Sequence, residues 1–184
     1  MPVVGEPSRF AVEYDLDADH GGVWMFGRFC YWCGGTRVGD FELGTSLRDV
    51  LFQLEGLARD RRLRASRRFS TMPATNVFRL INGALFGAAD LNNASVAEEE
   101  QWARHNIFPP VDVFDSWKGF LIEDEQTGRL IVAHAPYLDV TELSLKAGEV
   151  DAVLDAVRNA LNEIYERELS EPTTEKGSGT PQAR

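Results

Sequence analysis

Hydrophobic and polar residues alternate from Arg9 to Asp19: Phe10, Val12, Tyr14 and Leu16 fall on one side, and Glu13, Asp15, Asp17 and Asp19 on the other. Successive side chains of an extended strand point to opposite faces, so this spacing predicts a half-buried strand with an acidic face. After His20-Gly21-Gly22, residues 23–33 are apolar at both parities, with Trp24, Phe26, Phe29, Tyr31 and Trp32, which predicts a central strand. Gly34-Gly35 suits a two-residue hairpin turn, and residues 36–43 are expected to return as the third strand of a meander.

The period then changes. Ser46 with Asp49 three residues on is a helix-start signal, and Leu47, Val50, Leu51, Leu54 and Leu57 recur on one face of the helix that follows. Met72-Pro73 precedes a second helix over residues 75–86, and a short third is predicted over 94–105, stopped by Pro109-Pro110. Residues 111–123 and 129–135 flank a turn at 124–128 as a second hairpin, and 140–145 add a short strand. Following Gly148, Val150, Val153, Leu154, Val157, Leu161, Ile164 and Tyr165 form one stripe of a last helix. The expected fold is α+β: an antiparallel sheet of about five to six strands, the meander plus the later hairpin, packed with about three to four helices. Residues 1–169 are expected to form one domain. From Ser170 onward the chain offers nothing to bury and is expected to be a disordered tail.

Charge changes the picture most. The formal net charge is −10, but residues 59–68 hold six arginines against one aspartate, and taking that segment's +5 out leaves −15 on the rest. Such a field repels nucleic acid and anionic membranes and speeds encounter with basic proteins. The expected partner is therefore a basic protein, with no nucleic acid and no membrane. The arginines Arg59, Arg61, Arg62, Arg64, Arg67 and Arg68 could hold phosphate or RNA, but solvated cations complementing a helix C-terminus are the expected reading. Glu13, Asp15, Asp17 and Asp19 are either a solvated face or part of a patch for the basic partner, since alternate strand residues stand too far apart to share one cation. Most aromatics belong to the core, with Trp24 and Trp32 as candidate interface anchors.

Candidate chemistry adds little. Cys30 and Cys33 lie three apart in a strand pattern, which sends their side chains to opposite faces and argues for buried strand residues over a redox pair. A zinc site would need two more ligands at suitable spacing. His20, His105 and His134 show no metal spacing, and no phosphate-binding glycine loop or nucleophile elbow is present. No catalytic residue, metal or cofactor is predicted, and the chain is expected not to be an enzyme. No uncharged run exceeds ten residues, as at 80–89, too short for a membrane span, and the N-terminus lacks a leader pattern, so a cytoplasmic protein is expected.

The segments Gly5-Glu6-Pro7-Ser8-Arg9-Phe10-Ala11, Gly27-Arg28-Phe29-Cys30-Tyr31-Trp32 and Gly39-Asp40-Phe41-Glu42-Leu43-Gly44-Thr45-Ser46-Leu47-Arg48-Asp49-Val50 resemble immunity protein family 42 of bacterial polymorphic toxin systems. The resemblance covers mainly residues 4–52, with weaker support from the C-terminal hairpin. It implies an α+β protein that binds and neutralises, in the cytoplasm, a cognate toxin delivered between competing bacteria. No catalytic residue comes with it. The acidic balance suits that role and equally suits a secretion chaperone or adaptor that binds an effector.

Overall fold

The computed structural model describes residues 1–87 and 101–170. The alternating segment is strand β2 (Phe10–Leu16), and it pairs antiparallel with β3 (Phe26–Cys33) over its whole length. A short β1 (Val3–Gly5), unforeseen because three residues carry no period, pairs with the outer edge of β2. Strand β3 starts later than expected. Gly21 and Gly22 take positive φ, and residues 22–24 close a 3-10 turn, so Trp24 lies before the strand instead of within it. Gly34 and Gly35, at φ 59° and 83°, make the two-residue turn into β4 (Thr36–Val38), as the pairing of Cys33 with Thr36 shows. Gly39, at φ 106°, stops β4 early, and β5 (Thr45–Ser46) returns to pair with the start of β3. Strand β3 is thus central, as its two apolar faces require.

Ser46 caps α1 (Leu47–Arg59), its hydroxyl accepting the Asp49 backbone N–H at 3.1 Å. After α2 (Arg67–Ser70) and α3 (Ala74–Phe86) come β6 (Trp117–Glu123), β7 (Thr127–His134) and β8 (Val140–Lys146), and the described chain ends in α4 (Glu149–Ser170). The α+β expectation holds, but the strands divide between two antiparallel sheets, β1–β5 and β6–β8, instead of sharing one. The reason is that the second sheet is apolar on both faces. Leu121, Leu130, Val132 and Leu145 join a core with Phe10, Val12, Phe29 and Tyr31 of the first sheet and with Leu51 of α1 and Val157 of α4. Phe120, Ile122, Ile131 and Ala133, on the opposite face, pack on Phe69, Val77, Phe78, Ile81 and Trp102. A sheet with two such faces must lie between two apolar layers.

Two further expectations change. Residues 111–116 are not strand but hold a 3-10 turn (Asp112–Phe114) whose Val113 and Phe114 enter the core. Of the helix expected over 94–105, residues 94–100 lie outside the described residues, and Trp102–His105 is a 3-10 turn. Ser170, the first residue of the expected tail, is the last residue of α4; residues 171–184 lie outside the described residues.

The arginine segment is not a solvated face throughout. Arg64 is fully buried. Its guanidinium donates to Asp151 on α4 at 2.7 Å, to the Leu57 carbonyl at the end of α1 at 3.1 Å, and to the Arg104 carbonyl at 3.0 Å. Its own carbonyl accepts the Glu123 N–H at the end of β6 at 3.1 Å. Arg61 pairs with Asp155 one turn further along α4. A second tie, from Arg9 to Glu149 with two bonds of 2.7 Å, fastens the start of β2 to the first turn of α4.

Replacing Arg64 by alanine strands the Asp151 carboxylate in the interior and should cost about 3–5 kcal/mol of unfolding free energy. The double replacement Arg64→Met with Asp151→Leu should cost clearly less, so equal losses in urea titrations would refute the role of the pair. Arg9 holds the Glu149 carboxyl below its ordinary 4.5, chiefly by hydrogen bonding. That stabilisation is complete above pH 4.5 and is lost as pH falls through the lowered folded value. The Glu149→Gln variant should therefore be less stable than the parent at pH 7, with a gap that narrows as pH falls below 4.5; a gap in urea midpoint independent of pH would contradict this.

Candidate protein-binding surface

The inner face of the first sheet is spent on the core, so its chemistry lies on the outer face and at the β2–β3 connection. Glu13 and Asp15 of β2 share the outer face with Phe26, Arg28, Cys30 and Trp32 of β3, by the register that pairs Glu13 with Cys30 and Asp15 with Arg28. Glu13 is not part of a solvated acidic row. It is 4% exposed, and one carboxylate oxygen accepts the Trp32 indole N–H at 2.9 Å and an Arg37 N–H at 3.1 Å. Arg37, directly across from Trp32, lies 5.1 Å from the Trp32 ring and 4.9 Å from that of Phe41. Trp32 and Arg37 thereby lid the carboxylate. The sequence signal for this partner was the Gly34-Gly35 turn, which sets Arg37 opposite Trp32.

The other carboxylates divide by position. Asp15 is half-buried, while Asp17 and Asp19 lie past the end of β2 and are exposed. Among the described residues neither Asp17 nor Asp19 has an ion pair. The Asp17 N–H donates to the Phe26 carbonyl at 3.1 Å, which sets this acidic turn against the aromatic pair Trp24 and Phe26. Those rings stack at 6.4 Å with 6° between planes, and both are about half exposed. The geometry thus joins Asp17, Asp19 and Trp24 at one end of the sheet and binds Glu13 to Trp32 further along its outer face, with Asp15 between. Phe26 belongs with Trp24, although its place in a strand pattern marked it as core.

The family described as immunity protein 42 matches residues 1–160. The chain belongs to the immunity protein 42 family. As an immunity protein it binds and neutralises a cognate toxin domain. Its fold is similar to the crystal structure of CdiI from Burkholderia dolosa, with a TM-score of 0.69 over 88% of this chain and 99% of that one at 20% identity. No curated protein matches the chain. Nothing in the family assignment favours the chaperone or adaptor alternative.

The two cysteines of this immunity protein are structural. Cys30 and Cys33 are both buried and free, Cys30 beside Glu13 and Cys33 in the core. Burial, with the Glu13 charge adding to it at Cys30, pushes both thiols up to about 12, which keeps them protonated and unreactive at neutral pH. Among the described residues no cluster of three or more His, Cys, Asp or Glu side chains could hold a metal ion. No described helix is long and apolar enough to cross a membrane.

Glu13 and Asp17 should behave oppositely although they belong to one alternating row. Glu13→Ala leaves the Trp32 N–H without its acceptor under a lid and should lower stability by about 1–3 kcal/mol. Asp17→Ala should stay within about 0.5 kcal/mol of the parent, as a surface change does. Equal unfolding midpoints for the two variants would refute this division.

Proposed function

We propose that this immunity protein acts in the cytoplasm by stoichiometric binding, without catalysis, and that the toxin domain it masks is basic. The observation that carries this is the charge: the chain sums to −10, and two of the six arginines in residues 59–68, Arg61 and Arg64, are paired with Asp155 and Asp151. The net field outside the protein is therefore anionic, which favours a cationic protein and disfavours nucleic acid and anionic membrane. The docking surface is the outer face and turn of the β2–β3 hairpin. Asp15, Asp17 and Asp19 steer the encounter, Trp24 offers apolar contact area, and Glu13 with Trp32 supports the face from beneath.

Steering charges act on association more than on dissociation. Reversing two of them, Asp15→Lys with Asp17→Lys, should slow association with the cognate toxin domain by about tenfold at low salt and flatten the dependence of that rate on ionic strength. Stopped-flow mixing at several salt concentrations reads both. Association unchanged in rate and in salt slope would reject this surface.

A further inference from the structure

The stacked pair Trp24 and Phe26 is one end of a longer exposed feature. The Arg48 guanidinium of α1 lies 3.7 Å from the centre of the Trp24 ring, and its charge is met by Asp49 at 3.0 Å. One helical turn on, Phe52 meets Tyr165 of α4 edge to face at 5.5 Å. Leu169 follows one turn after Tyr165. Trp24, Phe26, Phe52 and Leu169 expose 45–53% of their surface. An exposed row of rings and aliphatic side chains, interrupted by the Arg48 guanidinium stacked on Trp24 and crossing three elements, fits an interaction surface, and Trp, Tyr and Arg are the residues that dominate interface energies.

The row is also held still. The Ser46 hydroxyl donates to the Trp24 carbonyl at 3.0 Å, and the Leu47 N–H donates to the Met25 carbonyl at 2.9 Å, so the turn is pinned to the start of α1. Met25, at φ 53°, is fully buried beneath it. At the far side His20 lies 3.0 Å from Glu168, joining the same turn to the end of α4. Side chains fixed before binding lose little freedom on binding, which leaves more of the contact energy as affinity.

We propose that this strip is the apolar centre of the toxin interface, receiving an aliphatic or aromatic projection of the toxin ringed by basic residues. The inference rests on the toxin-binding reading above and extends its surface from the acidic turn onto α1 and α4. Charge selects this occupant over a second copy of the chain. Asp17 and Asp19 flank the strip without ion pairs among the described residues, and two copies, each of net charge −10, would bring the same carboxylates together. Nor do residues 171–184, which continue from α4, contain an aromatic or large aliphatic side chain to cover it.

The test measures binding of the cognate toxin domain to the full-length protein and to its Phe52→Ala and Trp24→Ala variants. Loss of an interface anchor acts mainly on dissociation. Each variant should dissociate about 10- to 100-fold faster at an unchanged association rate, with Phe52→Ala, which loses its Tyr165 contact, still folded in its urea transition at a somewhat lower midpoint. Leu169→Gln serves as the second solvent-facing variant should Trp24→Ala unfold. If the parent binds and both Phe52→Ala and Leu169→Gln bind within twofold of it, the strip is not the interface, while the toxin-binding reading stands. If the parent itself does not bind, that reading fails and the strip falls with it. Sedimentation of the free chain supplies the last outcome: a dimer that Phe52→Ala converts to a monomer would assign the strip to self-association and overturn the proposal.

Discussion

Arg64 has no contact with solvent, yet its guanidinium bonds to the last turn of α1, to the 3-10 turn before β6 and to a carboxylate on α4, while its backbone pairs with the end of β6. Desolvating a guanidinium is expensive, and the cost is offset only when its donors and its charge are met together. Here each direction is met by a different element. The two helices over the first sheet and the edge of the second sheet are therefore held in one arrangement by a single residue, the helices through its side chain and the sheet edge through its backbone. A solvated arginine at that position would leave the Asp151 carboxylate alone in the interior.

This junction sets which surfaces remain for function. With α1 and α4 committed to the inner face of the first sheet, the outer face of β2 and β3 carries the polar chemistry. It uses that chemistry in two ways. Near the β3–β4 turn, Glu13, Trp32 and Arg37 consume one another's hydrogen bonds and charge and behave as structure. At the opposite end, beyond the last residue of β2, Asp17 and Asp19 stay solvated next to exposed rings.

For an immunity protein the second arrangement is the useful one. A binding partner must be drawn in over distance and then retained, and the two tasks need different side chains. Exposed carboxylates act at the range of about 10 Å over which salt screens a charge and so influence encounter. Preordered aromatic side chains act only in contact, where the area they remove from water slows dissociation. The β2–β3 turn, pinned between α1 and the end of α4, presents both kinds side by side.

Much of this architecture was readable locally. The period-two pattern of β2, the paired glycines before β4, the Ser46 cap and the apolar stripes of α1 and α4 each depend on residues a few positions apart, and each element formed where its pattern lay. Glu13 and Arg64 were misread for one reason. Local pattern placed both on polar faces, whereas their burial follows from partners 24 and 87 residues away, Arg37 and Asp151. The same holds for the division into two sheets, which depends on what covers each face of β6 to β8. It holds too for the row from Phe26 to Leu169, which exists only because α1 and α4 cross beside the turn. Residue order determined the elements, their polarity and the overall charge, because these follow from short-range geometry and composition; tertiary packing decided which charges are buried and which rings are left outside, because desolvation depends on distant neighbours.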